Sequence, residues 1–460
     1  MNGFNAVVTT GIYCRPGCAG RPNPANVRHF DLAAAAEAAG FRACLRCRPY
    51  RDPEAAPAAA SELVCRAIRL VVGDHEGSDE RAIAARLGLS SRHLRRLFRD
   101  QVGVTPSQLA RSSRAHFARR LLDDTDLLVT DIAYASGFGS LRQFNRTLRE
   151  IFSAAPSELR ARRRNADRLV ADGGLPLRLG FAGALAWEPA LAFLAARAIG
   201  GIEHVCDGVY RRTIVVEGDP GVIEVRRGGS DHLVLTAHLP HWNGLLHVVE
   251  RARRLFNLDV DADAADIALR TDPLIGPLID ELPGLRPVGA WDPFEVGVRA
   301  IIGQQVTVAG ASTLAARLVE RAGTPVPGLG RLGLTHAFPT PEVLAEADLG
   351  GVGLTPARVE AIRAFSAAVA DGSLRLDRSR PLDEVVPSLL AVPGIGPWTA
   401  QYLALRLGEP DAFPSGYLGL RRSIDRLAGS PLEPRAISEV ERGWKPWRAH
   451  AAFHLWSLQR

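Results

Sequence analysis

The stretch LLAVPGIGPWTAQYLALRLG, from Leu389 to Gly408, carries the clearest fold signal in the chain. Two helical patterns flank P-G-I-G, in which Gly394 and Gly396 allow the backbone to turn tightly. Such a turn exposes backbone N–H groups at the start of the next helix, where a DNA phosphate binds without sequence preference. Two glycines in a helical turn are a weak signal, but the surrounding L-x-x-V-P-G-I-G-x-W-T-A is specific. The stretch therefore predicts a helix-hairpin-helix element.

The bulk composition indicates a globular protein of several domains. With 460 residues, 47% hydrophobic and 23% charged, the chain exceeds one ordinary core and lacks the composition of a disordered protein. The longest apolar stretches, such as Leu191 to Ile202, are shorter than the roughly 20 residues of a membrane span. The amino terminus lacks a signal-peptide pattern. We therefore expect a cytoplasmic protein without membrane contact.

The positive charge comes almost entirely from arginine. The formal net charge is +6, and Lys445 is the only lysine among 56 basic residues. Arginine-rich basic proteins commonly bind phosphates, as in nucleic acids. A GC-rich genome, which also favours Ala, Gly and Pro, would produce the same bias, so composition alone leaves both interpretations open.

Four of the six cysteines form two close pairs. Cys14 and Cys18 read C-x3-C, and after 25 residues Cys44 and Cys47 read C-x2-C. In a reducing compartment such pairs indicate a metal rather than disulfides, and four thiolates suit one tetrahedral Zn²⁺. A purely structural zinc knuckle would have the same spacing.

The residues around these cysteines carry a resemblance. TTGIYCRPGC, NVRHF, AAAAEAAGFRAC and RCRP together resemble the amino-terminal zinc domain of the Ada methylation-response proteins. In that family the first cysteine of the quartet accepts the methyl group of a DNA methylphosphotriester, and Cys14 occupies that position. Zinc keeps such a thiolate deprotonated, and methylation removes one negative charge, which strengthens binding to DNA phosphates. Family members carry further residues before this domain, so we expect either a start upstream of Met1 or a zinc domain without its first helix.

The other two cysteines are predicted to be inert core residues. Cys65 and Cys206 lie singly in apolar helical or strand patterns. Neither lies in the P-C-H-R motif of an O6-methylguanine acceptor, so that second Ada activity is not expected.

Residues 62–164 contain two similar helix-turn-helix patterns. In DERAIAARLGLSSRHLRRLFRDQVG a turn at Gly88 precedes a helix that Ser90 can cap, and VTDIAYASGFGSLRQFNRTLREIF repeats this plan around Gly137. The second helix of each pattern carries side chains of the types that read base edges in the major groove: Arg92, Arg95, Arg96 and Arg99, then Ser140, Arg142, Gln143 and Arg146. A solvated helix face explains one such pattern more easily than two in tandem. The segment, with its closing FSAAPSELR, resembles the DNA-binding domain of AraC-type regulators, which follows the zinc domain in Ada proteins.

The carboxy-terminal part resembles a family of repair enzymes. VRAIIGQQVTVAGASTLAARLV, the hairpin stretch and WKPWRAHAAFHLW resemble the helix-hairpin-helix DNA glycosylases of the 3-methyladenine DNA glycosylase II (AlkA) type, and WEPALAFLAARAIGGIEHV extends the similarity back to about residue 176. These enzymes flip an alkylated, cationic base into a pocket of electron-rich rings. The resemblance places four residues in that pocket: Phe193, Trp398, Tyr402 and Trp456. Aromatic residues at helical spacing are also typical of an ordinary core. Gln304 and Gln305 occupy the groove-inserting loop, and Gln305 would fill the gap left by the flipped base.

Two positions define the expected chemistry. Members that also cut the strand have a lysine where Trp398 stands, so the resemblance implies a monofunctional glycosylase. The family stabilises the sugar cation with the second aspartate of the pattern D-A-F-P-x-x-D-L-G-L. In this chain the matching stretch, Asp411 to Leu420, has Tyr417 at that position. A phenol with a pKa near 10 supplies no anion at neutral pH. Three explanations stay open: Asp411 substitutes, Tyr417 supports weak catalysis, or the domain recognises lesions without excising them. A single-nucleotide change of an Asp codon would also give Tyr417.

Proline- and glycine-rich stretches divide the chain at Arg51 to Glu62, Arg160 to Pro176 and Glu281 to Glu295. We predict a multidomain protein, mainly α with α+β parts. Residues 1–52 form the zinc domain, 60–164 the double helix-turn-helix domain, 176–288 an α+β domain and 289–460 an all-α helix-hairpin-helix domain. The expected function is adaptive-response repair of alkylated DNA combined with transcriptional activation, with one tetrathiolate Zn²⁺ and with double-stranded DNA and RNA polymerase as partners. The rival interpretation is a transcriptional regulator whose carboxy-terminal domain only binds damaged DNA.

Overall fold

The chain folds into two compact units, residues 1–181 with 234–250 and residues 182–233 with 251–460. The computed structural model describes residues 3–20, 22–51, 57, 59–73, 79–164, 169, 173–260, 262–377 and 379–458. The predicted linkers at 51–62 and 160–176 lie partly outside these residues. No helix among the described residues is long and apolar enough to cross a membrane. The predicted multidomain, mainly helical fold class is confirmed.

The first unit begins with a small sheet that carries the paired cysteines. Its elements are β1 (Phe4–Val7), β2 (Ile12–Cys14), β3 (Val27–Phe30), α1 (Ala33–Ala38) and β4 (Arg42–Ala43). The strand order is β3-β1-β2-β4, in which β2 is antiparallel to β1 and parallel to β4. Tyr13 lies opposite Ala6 on one side and Ala43 on the other. The residue before Cys14 is therefore central to the sheet and fully buried.

Helices then follow, as the periodicity predicts. They are α2 (Glu62–Gly73), α3 (Glu80–Arg86), α4 (Ser91–Val102), α5 (Pro106–Asp124), α6 (Val129–Ala135), α7 (Leu141–Phe152) and α8 (Pro156–Ala161). Side-chain caps start several of them, including Thr105, which forms a capping box with Gln108 at the start of α5. Leu32 and Ala35 of the zinc segment share one apolar core with Leu94 and Phe98 of the helical segment.

The next part of the chain mixes strands and helices. It contains β5 (Leu175–Gly180), α9 (Trp187–Arg197), β6 (Glu203–Cys206), β7 (Val209–Val216), β8 (Asp219–Arg227), β9 (His232–His238), α10 (Leu245–Leu255), α11 (Ala262–Leu269) and α12 (Gly276–Glu281). Strands β6, β7 and β8 form an antiparallel meander. These elements are the α+β part that the sequence predicted.

The remaining elements are almost all helical. They are α13 (Pro293–Ile302), α14 (Val308–Ala322), β10 (Thr324–Pro325), β11 (His336–Ala337), α15 (Pro341–Glu346), α16 (Pro356–Ala370), α17 (Leu382–Leu390), α18 (Pro397–Arg406), α19 (Leu418–Ala428), α20 (Pro434–Gly443) and α21 (Arg448–Ser457). The expectation that residues 289–460 form an all-α domain is wrong at β10 and β11, which pair with each other. Two-residue strands are too short to produce an alternating pattern in the sequence.

Burial at two positions differs from what the local sequence patterns suggest. The stretch Glu281 to Glu295, where we predict a domain boundary, is packed: Leu285, Val288 and Trp291 are buried, and a Cβ at Gly289 would lie 2.2 Å from a backbone oxygen. Cys206 is not a core residue: it ends β6 at an exposed turn, where its thiol lies 3.2 Å from a carboxylate oxygen of Asp207. A hydrophobic pattern does not show where a strand leaves the core.

Two buried histidines on α21 predict a pH-dependent stability. Burial lowers the pKa of His450 to about 3 and that of His454 to about 4. In the unfolded chain both histidines have an ordinary pKa near 6.5, so below that pH the unfolded chain binds more protons than the folded protein. The contribution of the neutral histidines to the free energy of unfolding is therefore complete above pH 6.5 and is lost as the pH falls towards the pKa values of the folded state. We expect a loss of about 2 kcal/mol per histidine between pH 7 and pH 5, measured by urea unfolding.

The test variant combines His450→Leu and His454→Leu. The control variant is His204→Leu, at an exposed position. The double variant should flatten the pH dependence in this range, whereas His204→Leu should leave it as it is. An unchanged slope in the double variant would contradict the assignment.

Candidate functional sites

The four predicted zinc ligands come together in the first unit. The sulfurs of Cys14, Cys18, Cys44 and Cys47 all lie within 4.8 Å of one another. The backbone N–H of Cys44 donates to the carbonyl oxygen of Tyr13 at 3.0 Å, which ties the two halves of the quartet. A tetrahedral zinc ion with Zn–S bonds of about 2.3 Å needs sulfurs about 3.8 Å apart, so the quartet fits one tetrathiolate zinc ion.

The electrostatics of these thiols agree with a bound cation. Burial, followed by the contacts with Cys44 and Cys47, raises the pKa of Cys14 above its ordinary value. Burial also raises the pKa of Cys47 to about 12. Burial opposes ionisation of Cys44, but backbone N–H groups of Cys47 and Arg46 offset it and lower the pKa of this thiol. All four cysteines ionise together only when a cation offsets the mutual repulsion of the thiolates, and metal coordination requires the thiolate form.

The two predicted recognition helices are α4 and α7. The hydroxyl oxygens of Ser90 and Ser140 each accept a hydrogen bond from a first-turn backbone N–H at 3.2 Å, so Ser140 acts as a helix cap. Arg95 pairs with Glu80 at 2.5 Å and Arg146 with Glu150 at 3.8 Å, although both arginine side chains remain more than half exposed. Gln143 is partly buried, whereas three further predicted DNA-contacting residues are exposed: Arg92, Arg96 and Arg142.

Aromatic rings from four segments meet in the second unit, and we call Phe193, Trp398, Tyr402, Tyr417 and Trp456 the ring cluster. Trp398 lies between Tyr402 and Tyr417, with ring centroids 5.6 and 5.9 Å away and nearly parallel planes. Trp456 lies 6.1 Å from each tyrosine ring and 6.3 Å from Phe193. The structure thus brings together the four residues that the sequence placed in a pocket, and adds Tyr417 as a fifth ring.

Two arginines that the sequence reasoning missed lie against the ring cluster. The guanidinium of Arg197 lies 3.8 Å from the ring centroid of Phe193, and that of Arg406 lies 5.2 Å from the same centroid. Arg406 donates to the hydroxyl oxygen of Tyr402 at 2.7 Å. Burial opposes ionisation of Tyr402, but Arg406, Arg197 and Arg299 offset it and hold the pKa of this tyrosine below its ordinary value. The sequence did contain a signal for these contacts: Arg197 and Arg406 each follow a ring of the cluster, Phe193 and Tyr402, by four residues on a helix, a spacing at which side chains meet.

Tyr417 is the N-cap residue, immediately before α19, and its side chain makes no capping hydrogen bond. The nearby Asp411 is already engaged. Arg448 binds both of its carboxylate oxygens, at 2.7 and 2.9 Å, and Lys445 lies 3.9 Å away. A carboxylate neutralised in this way is poorly suited to replace the missing anion.

The two glutamines in the loop between α13 and α14, Gln304 and Gln305, have different surroundings. The amide nitrogen of Gln304 donates to the carbonyl oxygen of Gly394 at 2.8 Å and to the hydroxyl of Thr399 at 3.1 Å. Gln305 is exposed and has a left-handed backbone with φ of 56°. Strained backbone of this kind is typical of functional loops. Gln304 therefore braces the hairpin, whereas the side chain of Gln305 is exposed to solvent.

Gly394 and Gly396 occupy the hairpin between α17 and α18 in different ways. Gly394 has φ of +83°, and a Cβ there would lie 2.4 Å from the Cβ of Ala361. Gly396 is the N-cap of α18, and a Cβ there would meet nothing within 4 Å. The open space at Gly396 leaves the helix amino terminus accessible to a phosphate.

This difference predicts unequal effects of alanine at the two glycines. Gly394→Ala should lower the free energy of unfolding by about 1–2 kcal/mol for the left-handed backbone, with a further loss from the overlap with Ala361, and should weaken DNA binding. Gly396→Ala is the matched control and should leave the free energy of unfolding nearly unchanged. Denaturant unfolding and fluorescence anisotropy with duplex DNA measure both, and equal stability of the two variants would contradict the assignment.

A hairpin that presents a helix amino terminus beside a ring cluster defines a helix-hairpin-helix DNA glycosylase, here joined to a zinc-binding and helix-turn-helix unit. Residues 3–50 match the metal binding domain of Ada, residues 83–162 a helix-turn-helix domain and residues 176–292 the AlkA N-terminal domain. A probable bifunctional transcriptional activator/DNA repair enzyme AlkA of Mycobacterium tuberculosis is 42% identical over 98% of this chain and 92% of its own length. The chain belongs to this family of bifunctional transcriptional activator/DNA repair enzymes.

Two further proteins are similar to the carboxy-terminal part. DNA-3-methyladenine glycosylase 2 of Escherichia coli is 35% identical over 59% of this chain and 93% of its own length. The solved structure of a 3-methyladenine DNA glycosylase from Archaeoglobus fulgidus shares the fold, with a TM-score of 0.55 and 24% identity over 62% of this chain and 98% of that chain.

Proposed function

We propose that the carboxy-terminal part hydrolyses the N-glycosidic bond of alkylated bases such as 3-methyladenine in duplex DNA and leaves an abasic site. The observation that carries this proposal is the ring cluster next to the hairpin, which is built by four residues of α9, α18 and α21 and by Tyr417, the N-cap residue of α19. Electron-rich ring faces attract a cationic alkylated purine that has been flipped out of the duplex.

Hydrogen-bond donors in the ring cluster would orient such a base. Among the described residues, the buried indole N–H groups of Trp398 and Trp456 have no acceptor. The hydroxyl oxygen of Tyr402 accepts from Arg406, which leaves its own O–H able to donate to a ligand. Gln305 would fill the gap in the duplex, while the amino terminus of α18 binds a phosphate. Trp398 cannot form a Schiff base with the sugar, so the strand remains uncut.

The first unit would accept methyl groups from phosphotriesters and act as a transcriptional activator. A bound zinc ion would hold its four cysteine ligands as thiolates. The sulfur of Cys14 then attacks the methyl carbon and forms an S–C bond, the bond between that carbon and the ester oxygen breaks, and the oxygen stays on phosphorus and keeps the electron pair as a phosphodiester anion. The charge of the site falls from about −2 to about −1, which favours DNA binding. Helices α4 and α7 would read promoter DNA in the cytoplasm, with RNA polymerase as the further partner.

Tyr417 favours a second candidate function, in which the ring cluster binds damaged DNA without excising the base. The deciding experiment measures free 3-methyladenine released from methylated duplex DNA by the purified protein. Release supports the glycosylase, whereas selective binding of methylated DNA without release supports the binder. Equal binding of methylated and undamaged DNA, with no release, would overturn both.

A further inference from the structure

The long helix α5 presents a buried polar stripe to the zinc segment. Ser112, His116 and Asp123 lie along one face of the helix, one turn and then two turns apart, and all three are buried. Buried polar side chains are costly unless they are hydrogen bonded. Their partners lie in the zinc segment, at Glu37 between the two cysteine pairs and at Tyr50 after the second pair, so the stripe joins the predicted methyl-acceptor site to the helical segment within one compact unit.

Glu37 of α1 is at the centre of the first contact. One of its carboxylate oxygens accepts from the hydroxyl of Tyr13 at 2.7 Å and lies 2.6 Å from Nε2 of His116. The other accepts from the hydroxyl of Ser112 at 2.6 Å. The Glu37 side chain is 6% exposed. Because Tyr13 directly precedes Cys14 on β2, this carboxylate connects the methyl-acceptor strand to α5.

A second contact secures the other end of the quartet. Tyr50, three residues beyond Cys47, donates its hydroxyl proton to Asp123 at 2.8 Å, and Arg51 donates to Asp124 at 2.8 Å. The ring of Tyr50 also packs edge-on against Phe152, the last residue of α7, at 5.7 Å. Segments on both sides of the cysteines are therefore fixed to α5, and one of them contacts a recognition helix.

We propose that Glu37 is a positioning residue that couples Cys14 to the DNA-binding helices, so that methylation of Cys14 changes DNA affinity through the position of β2 as well as through charge. This inference rests on Cys14 being the methyl acceptor. The charge effect weakens as salt screens it, whereas a coupling through packed, buried hydrogen bonds is insensitive to salt. Salt therefore separates the two contributions.

The test compares the full-length zinc-loaded protein before and after reaction with a methylphosphotriester oligonucleotide, using affinity for a mixed-sequence duplex at low and high salt. In the wild-type protein we expect a gain of about fivefold or more to persist at high salt. Glu37→Gln should lose this high-salt gain and keep only the charge-dependent part of the low-salt gain. Asp31→Asn, which removes an exposed carboxylate from the same segment, is the matched control and should keep both.

Each outcome decides between the proposals. A high-salt gain that persists in Glu37→Gln, or is absent from the wild type, overturns the coupling while leaving Cys14 as the acceptor. No methyl transfer to wild-type Cys14 overturns the acceptor assignment itself. Zinc content and thermal unfolding show whether Glu37→Gln is folded. If it is not, Ser112→Ala, which removes one hydrogen bond from outside the zinc segment, must lower the same gain.

Discussion

Tyr417→Asp is expected to raise the rate of base release from alkylated DNA by a factor of about 10² or more, because an anion would then face the positive charge that develops on the sugar. Tyr417 is the N-cap residue of α19, and aspartate is favoured at this position, so the variant should fold at least as well as the wild type. Loss of the tyrosine ring removes one stacking partner of Trp398 and should weaken lesion binding slightly. Single-turnover release of free 3-methyladenine from methylated duplex DNA measures the effect.

Tyr417→Asn is the matched control. Asparagine has nearly the size of aspartate and can also cap α19, but it carries no charge. Its rate should stay near the wild-type rate. Equal, vigorous release by the wild type and both variants would show that another residue supplies the anion, and no release by any of them would favour a protein that only binds lesions.

Cys14→Ala is expected to abolish methyl transfer from a methylphosphotriester oligonucleotide, because no other sulfur would occupy the acceptor position. Transfer of a labelled methyl group to the protein measures the loss. Zinc content, determined on the same samples, separates loss of the acceptor from loss of the ion, since three thiolates and a water molecule can still hold zinc.

Cys65→Ala is the control, because Cys65 lies on α2, outside the quartet, and should transfer the methyl group at the wild-type rate. The reverse pattern, with transfer lost in Cys65→Ala and kept in Cys14→Ala, would contradict the assignment. Transfer lost in both variants would indicate a general effect on the fold, which the unfolding curves would show.

Local features were predictable because short segments encode them. The paired spacing of the cysteines gave the zinc ligands, and the serine caps gave the starts of α4 and α7. The four aromatic positions were placed by resemblance to a family rather than by periodicity, which does not separate a pocket from a core. The exposed position of Cys206 was not predicted, because a local hydrophobic pattern was used to infer burial.

The sequence by itself determined the helices of the two helix-turn-helix patterns, the zinc quartet, the hairpin and the absence of an aspartate at position 417. Only the tertiary structure decided that Asp411 is held by Arg448, that Arg197 and Arg406 lie against the ring cluster, and that Glu37 meets residues 75 and 79 positions further along the chain. The physical reason is that spacing within a turn or helix is fixed by local geometry, whereas the partner of a buried charge depends on which distant segments the fold brings together.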